Sequence, residues 1–439
     1  YRKAAEAVFD WGINMVCDDG SFYNDAQSEW NGITVFGVIS LCEALNHHGH
    51  LLNLETKKYW EQRMKAGARW IARTITVGYK TNINYHASAA AALALAGKYE
   101  DRAEYLVQAK ELADYCENHL LENGLFYGEG QPAEGVTKRG CRPVDIGYNV
   151  EESIPSLVLY ARTVGDLRLI KKLKEILKKQ LVFMLPDGAW DNSFGSRNYK
   201  WTYWGSRTSE GCALGYLLAA DGEPDFAAGA YKNLKLLEAC THDGCLYGGL
   251  YTHEMGEYAC IHHTFSHAKV LAGILDRGLE ELLEKQEQLN KEGAKQDRLP
   301  RMRLEKTVYI EETDTYLIPG GEYTATVTGY DWEYVNLKGG HAEGGTLTLL
   351  WHERAGLVIC GGMSQYTMRE ANNMQLPRFG RHECVTPRLE CTALDGKTVY
   401  SSLYDGRCKM IFSETGAGTV IAVKGRLTDI NHHILEDGG

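Results

Sequence analysis

A chain of 439 residues is too long for one ordinary core, and its pattern changes near residue 300, so two unequal domains are expected. With 44% hydrophobic and 24% charged residues and no apolar run long enough to cross a bilayer, the composition describes a soluble globular protein and excludes a membrane function. A formal charge of −11 excludes nucleic acid as a partner, because phosphate binding needs a basic face and no long Lys/Arg run stands apart.

Up to about residue 290 the apolar residues recur every three to four positions, which predicts one helix after another. The pattern covers roughly 2 to 17, 31 to 48, 56 to 76 and 86 to 97. It continues over 101 to 122, where Leu106, Ala109, Ala113, Cys116 and Leu120 keep the rhythm and Gly124 is the expected stop. Another helix covers 150 to 164, and Asp166 can cap the next, which carries Ile170, Leu173, Leu177 and Leu181 on one side. Its basic stretch, 171 to 179, reads as a solvated face. Segments 208 to 220, 226 to 241 and 262 to 290 complete about ten helices.

A weak repeat runs between them: Asp19-Gly20-Ser21-Phe22, Asn123-Gly124-Leu125-Phe126, Asp187-Gly188-Ala189-Trp190 and Asp243-Gly244-Cys245-Leu246. A helix-hairpin repeat follows. Taken singly, each copy is a helix-ending turn with a hydrophobic plug. Four copies with aromatics on equivalent loops also suit a sugar-binding rim.

A charged helical stretch, 279 to 300, ends at Pro300 and the periodicity changes. Short β-branched and aromatic runs then begin at 307, 315, 322, 345, 357, 398, 408 and 419, with glycine-rich turns between several of them. They predict antiparallel sheets packed as a sandwich. The expected domains are a helical catalytic part, 1–292, and a β-sandwich, 301–439. Twelve cysteines without a C-x-x-C pair read as free, mostly buried thiols, which favours a reducing compartment, whereas a polymer substrate favours export. The chain opens in helix-like sequence, so a signal peptide is expected to be absent or already removed.

Polar residues concentrate where turns meet helices. Asn82 and Asn84 open an apolar helix with His86 in its first turn; one Asn can cap it, whereas His86 has no capping role. From Arg142 to Ser153, Gly147 and Asn149 place Tyr148 on a loop entering a helix, where a phenol can face a cleft or anchor to backbone. A long loop from Trp190 to Thr208 holds Trp190, Arg197, Tyr203, Trp204 and Arg207, and its length without pattern marks function. Its guanidinium groups match a carboxylate in two hydrogen bonds. His263 and His267 share a helix face as a metal pair would, but the zinc-hydrolase signature is absent and buried histidines are the simpler reading. Gly340-His341 precedes a strand.

In combination and order, these clusters resemble the heparinase II/III-like polysaccharide lyases and their alginate and glycosaminoglycan lyase relatives. The resemblance covers nearly the whole chain in architecture and implies an incomplete (α/α) toroid followed by an antiparallel β-sandwich. It implies roles for the segment Asn84-Tyr85-His86, for Tyr148 and for His341. The family pattern has Asn and His adjacent, whereas Tyr85 intervenes here, so Asn82 and Asn84 remain alternatives. The sheet segment lacks the second His of metal-containing members; no cofactor is required, and a structural divalent metal is left open.

What the resemblance implies is β-elimination on an acidic polysaccharide containing uronic acid. The proton on C5 becomes acidic only when the neighbouring carboxylate is neutralised, a task for Asn84 or Asn82 with Arg207. Tyr148 or His86 then takes the proton, with His341 completing the catalytic set. Asn82, Trp190, Arg197, Tyr203, Trp204 and His263 are the expected substrate-binding residues. The competing readings are a glycoside hydrolase using Asp145, Glu151 and Asp191, and a glycan-binding protein without catalysis.

Overall fold

The computed structural model describes residues 1–24, 29–198, 201–202, 205–206, 212–256, 258–292, 299–332, 342–362, 386–416 and 418–435. The helical part runs α1 (Arg2–Trp11), α2 (Thr34–His48), α3 (Leu54–Thr74), α4 (Ile83–Glu100) and α5 (Ala103–Glu117). One turn, α6 (Ile146–Tyr148), continues through a π turn, Asn149–Ser153, into α7 (Ile154–Val164). Then come α8 (Leu167–Gln180), α9 (Cys212–Leu218), α10 (Pro224–Ala239), α11 (Ile261–Leu275) and α12 (Glu280–Lys291).

Two kinds of helix alternate, and their sequences explain why. In α4 the run from Ala87 to Gly97 is apolar and small on every side and is buried throughout, as an inner helix must be. In α8 only one stripe is buried, including Leu169, Leu173, Ile176 and Leu177, while its lysines face solvent. The inner helices α2, α4, α7, α9 and α11 pack on one another in succession, and α3, α5, α8 and α10 each back the inner helix before it. Glu43 of α2 pairs with Arg277 at 2.5 Å and His48 with Asp276 at 3.1 Å, tying the first inner helix to the end of the last. Beside these pairs lies a cavity of about 160 Å³ walled by α2, α7, α9 and α11.

The weak repeat is a structural unit. After α1, α5, α8 and α10 the chain makes the same small hairpin, with Val16 bridging Phe22, Leu120 bridging Phe126, Met184 bridging Trp190, and β3 (Thr241–His242) pairing with β4 (Cys245–Leu246). In the first three copies the Asp19, Asn123 or Asp187 side chain accepts the N–H two residues on, at 3.0 to 3.1 Å. The glycine is left-handed each time, at φ +75° to +93°. At Gly20, Gly124 and Gly188 a side chain would also strike the backbone of α3, α8 or α10. Glycine is therefore required twice over, by dihedral angle and by contact. Gly124 does not stop α5, which ends seven residues earlier at Glu117; the expected 262 to 290 helix is two, broken around Gly278 at φ +63°.

The sheet part is antiparallel. A five-stranded meander, β5 (Val308–Ile310), β6 (Thr315–Gly320), β7 (Tyr323–Thr328), β8 (Thr346–His352) and β9 (Gly356–Cys360), pairs in chain order. Two hairpins follow, β10 (Glu390–Thr392) with β11 (Val399–Ser401), and β12 (Lys409–Thr415) with β13 (Gly418–Lys424). Another short hairpin, β1 (Trp201–Thr202) with β2 (Gly205–Ser206), lies in the helical part.

One face of the meander is lined with threonine rather than aliphatic side chains. Thr324, Thr326 and Thr328 alternate inward on β7, and Thr348 of β8 bonds Ser193 at 2.9 Å. Between the two parts Arg301 and Asp191, both fully buried, lie 3.6 Å apart; Arg301 also donates to Thr324, Thr326 and the Ala325 carbonyl, and Thr326 donates to Asp191. Arg139 pairs with Asp314, and Tyr330 donates to the Arg142 carbonyl at 3.0 Å. Apolar packing joins the parts as well, with Leu349 and Trp351 of β8 in one cluster with Leu185, Leu236 and Leu237.

Candidate functional site

The N-terminal ends of α4 and of the α6–α7 helix lie side by side, and the segments after the second and third repeated turns cover them. Gly128, Glu129 and Gly130 follow the turn at Asn123; the Glu129 carboxylate accepts the backbone N–H of Asn84 at 3.1 Å. The Asn84 amide donates to Glu152 at 2.6 Å, and its carbonyl oxygen is buried without a hydrogen-bond partner. Asp145 caps the α6 turn by accepting the Tyr148 N–H at 3.0 Å, and its second oxygen accepts the Arg197 N–H at 3.1 Å. The Arg197 guanidinium lies 4.3 Å above the Tyr148 ring. Ser196 binds the Glu129 carbonyl, closing the circuit between the two covering segments.

The electrostatics follow from placing several carboxyls in one dry site. Burial pushes Glu129 up to about 8, opposed by Arg197 and reinforced by Asp145 and Glu152. Asp145 is also raised by burial, against the pull of two backbone N–H groups and Arg197. Tyr85 is driven far up, first by burial and then by the Tyr148 and Glu152 charges. At neutral pH Glu129 is therefore a neutral acid able to donate, beside a guanidinium and a phenol. Such a set can hold a carboxylate, neutralise it, and move a proton.

The structure thus brings together Asn84, Tyr148 and Arg197. His86, two residues past Asn84, stands about 200° round the helix and points the other way. Its ring bonds the Thr76 carbonyl at 3.1 Å and packs on Tyr115, and burial lowers it to about 4. This is a structural histidine, and the role of base does not fit its position. Asn82 is the N-cap residue of α4 but its side chain makes no cap bond, and it is buried at the edge of the cluster. Trp190 is fully buried and stacked on Tyr216 at 6.0 Å, so its ring is a core plug and offers no face to a sugar. His263 is fully buried with its ring 2.7 Å from the Cys260 sulfur. Among the described residues no group of three or more His, Cys, Asp or Glu side chains is arranged to hold a metal ion.

Asp191, weighed as a hydrolytic carboxylate, is instead committed to the interface with Arg301 and Thr326. Arg207, Tyr203, Trp204 and His341 lie outside the described residues. The eleven described cysteines are all free. Two acidic residues were overlooked in the sequence reading, Glu129 and Glu152. A carboxylate set between two glycines immediately after a repeated turn was the available signal for Glu129.

Comparison with known proteins gives this geometry a family. The model of the ulvan lyase N-terminal domain matches residues 1–292, and that of the ulvan lyase C-terminal domain matches residues 308–439. A broad-specificity ulvan lyase of Formosa agariphila is 37% identical over 410 residues, covering 92% of this chain and 62% of that protein. The chain thus spans less than two thirds of the length of this curated relative. A glycosyl hydrolase of family 88 from Bacteroides vulgatus superposes with a TM-score of 0.45 at 12% identity, over 63% of this chain and 86% of that one, a likeness too slight to carry an argument. These matches name ulvan lyases where the motif resemblance pointed to the heparinase II/III-like group. With its helical part and its sheet part both matched by the corresponding family models, the chain belongs to the ulvan lyase family.

Proposed function

We propose that this chain is a polysaccharide lyase that cleaves a uronic-acid-containing polymer by β-elimination, with ulvan, named for its relative, as the substrate class. The observation that carries the reading is the meeting of Asn84, the neutral acid Glu129, Arg197 and Tyr148 at two adjoining helix N-termini. In this reading the helical part is an incomplete toroid, the sheet part a sandwich, and the site opens at the N-terminal ends of the inner helices.

The uronate carboxylate is held by Arg197 and neutralised by hydrogen bonds from Glu129 and the Asn84 amide, which makes the C5 proton removable. The Tyr148 phenolate takes that proton, the electron pair forms the C4–C5 double bond, and the C4–O bond breaks. The phenol then returns the proton to the departing oxygen. Such general acid–base work contributes about 10²- to 10⁴-fold for a placed group. This scheme uses no metal, and the rate with and without a chelator tests whether one is needed.

A second reading has one observation in its favour: a protonated Glu129 beside Asp145 and Glu152 is the kind of acid–base set that hydrolysis uses. The products separate the two. Incubation with ulvan, alginate, hyaluronan, chondroitin and heparin, followed by near-ultraviolet absorbance, reports the conjugated double bond that elimination alone leaves. A rise on ulvan that Tyr148→Phe abolishes supports the proposal; new reducing ends without absorbance would replace it with hydrolysis.

A further inference from the structure

Where the loop after Glu129 meets the sheet part, a cavity of about 770 Å³ is walled by Lys138, Arg407, Lys409, Lys424 and Arg426, all exposed. This concentration of positive charge stands out in a chain of formal charge −11. Among the described residues none of the five side chains pairs with a carboxylate.

Three carboxylates share the wall, Asp331, Glu343 and Asp405. Asp405, buried, accepts the backbone N–H of Arg407 at 3.0 Å and of Arg426 at 2.7 Å, fixing both main chains while leaving both guanidinium groups outward. Asp331 accepts from Thr137 at 2.6 Å, which pins the turn that carries Lys138, and Glu343 is buried. Lys409 and Lys424 are directly opposite in the β12–β13 ladder, an arrangement of like charges that weakens a hairpin. A pair of cations kept opposite one another, with no counter-ion among the described residues, suits an external one.

We propose that this cavity is a non-catalytic subsite for an anionic polysaccharide, in which sulfate or carboxylate groups of the chain bridge Lys138 on the helical part to the cations of β12–β13 and its flanks. The subsite rests on the lyase reading for its choice of polymer. It would anchor the chain while the loop that carries Lys138 leads back to Glu129 and Asp145 at the candidate site. Long-range attraction from so local a patch is screened within about 10 Å at moderate salt, so it acts by holding rather than by steering.

The test is affinity electrophoresis of the whole chain in gels containing dextran sulfate, polygalacturonate or neutral dextran. The expected result is retardation by a charged polymer and none by dextran, with binding weakened about tenfold when Lys409, Lys424 and Arg426 are all changed to Ala. Retardation by dextran sulfate alone assigns the anchor to sulfate, and by polygalacturonate alone to carboxylate. Lys138→Ala, on a different element, should weaken binding in the same direction and guards against a disturbed hairpin. No retardation of the wild type by either charged polymer, or equal retardation of all variants, overturns the subsite. Because these gels need no turnover, an inactive protein that still binds would count against the lyase reading while leaving the subsite intact. If turnover is present, the triple variant should raise KM for polymer and leave kcat unchanged.

Discussion

Replacing Glu129 by Gln mimics the neutral acid that the site imposes at pH 7, and the consequence can be worked out from its surroundings. Glu129 is fully buried and raised to about 8 from an ordinary 4.5. Between those values the folded state keeps a proton that the unfolded chain has released, so the stability this group contributes is fully present below pH 4.5 and is lost as pH rises towards 8. The slope is about −1.4 kcal/mol per pH unit. From pH 5.5 to 7.5 the wild type should therefore lose about 2 to 3 kcal/mol that the Gln variant does not. His86, lowered to about 4, and His267, lowered to about 3, contribute the opposite slope, with stability lost as pH falls below 6.5. They do so in both proteins, so the difference between the two curves isolates Glu129. Urea unfolding at the two pH values, with the slope m checked for constancy, measures it. Parallel pH dependence in wild type and variant would falsify the assignment of a neutral Glu129. The same residue sets an expectation for catalysis: activity declining as pH passes through about 8 in the wild type, and no such decline in a Gln variant that retains turnover.

The repeated turns offer a matched pair. Gly188→Ala meets both a φ of +92° and the Lys232 carbonyl at 2.5 Å, whereas Gly244→Ala meets only φ +75° and open space; the first should cost about 2 to 5 kcal/mol and the second about 1 to 2, read by denaturant midpoints. Arg301→Ala strands Asp191 in the interface and should cost about 3 to 5 kcal/mol; the same measurement checks it, and a loss below 1 kcal/mol would mean Asp191 is solvated. Asn84→Ala removes the amide bonded to buried Glu152 and should lower kcat about a hundredfold while costing about 1 to 3 kcal/mol of stability, read by the absorbance assay and thermal unfolding.

Much of the fold was legible because helix and strand periods differ. The 3-to-4 rhythm of α8 and the alternating threonines and β-branched residues of β7 announce themselves locally. What periodicity alone does not report is which apolar helix is inner and which outer. That contrast lies in how far around the helix the apolar residues extend, as α4 against α8 shows. In the candidate site, Asn84 and Tyr148 were visible because they sit at helix starts. His86 draws notice in the sequence because it opens a helix without a capping role, but the turn of a helix sends residues two apart to opposite sides, and its ring lies against Thr76 and Tyr115 rather than beside Asn84. Trp190 was misread for another reason: an aromatic after a glycine turn can cap the core or face solvent, and only the packing of Tyr216 against it decides. Glu129 was overlooked because the burial that perturbs it depends on Arg197 and Glu152, brought in from distant segments.

The repeated turn also separates what must stay constant from what is free to vary. Each copy ends at an aromatic or Leu and is followed by a stretch of different length before the next inner helix: Tyr23 to α2 is short, Tyr127 to α6 and Asp191 to α9 are long. Glu129, Asp145 and Arg197, and Lys138 of the basic cavity, all sit in the long stretches, while every residue that fixes the turn precedes them. The scaffold is in this sense a rack of interchangeable slots. Apart from Glu129, Asp145, Asp191 and Arg197, substitution within a slot can re-tool recognition without touching the glycine contacts that keep neighbouring helix pairs in step, and that makes the remaining positions of 127 to 145 and 191 to 211 the natural places to redesign polymer preference.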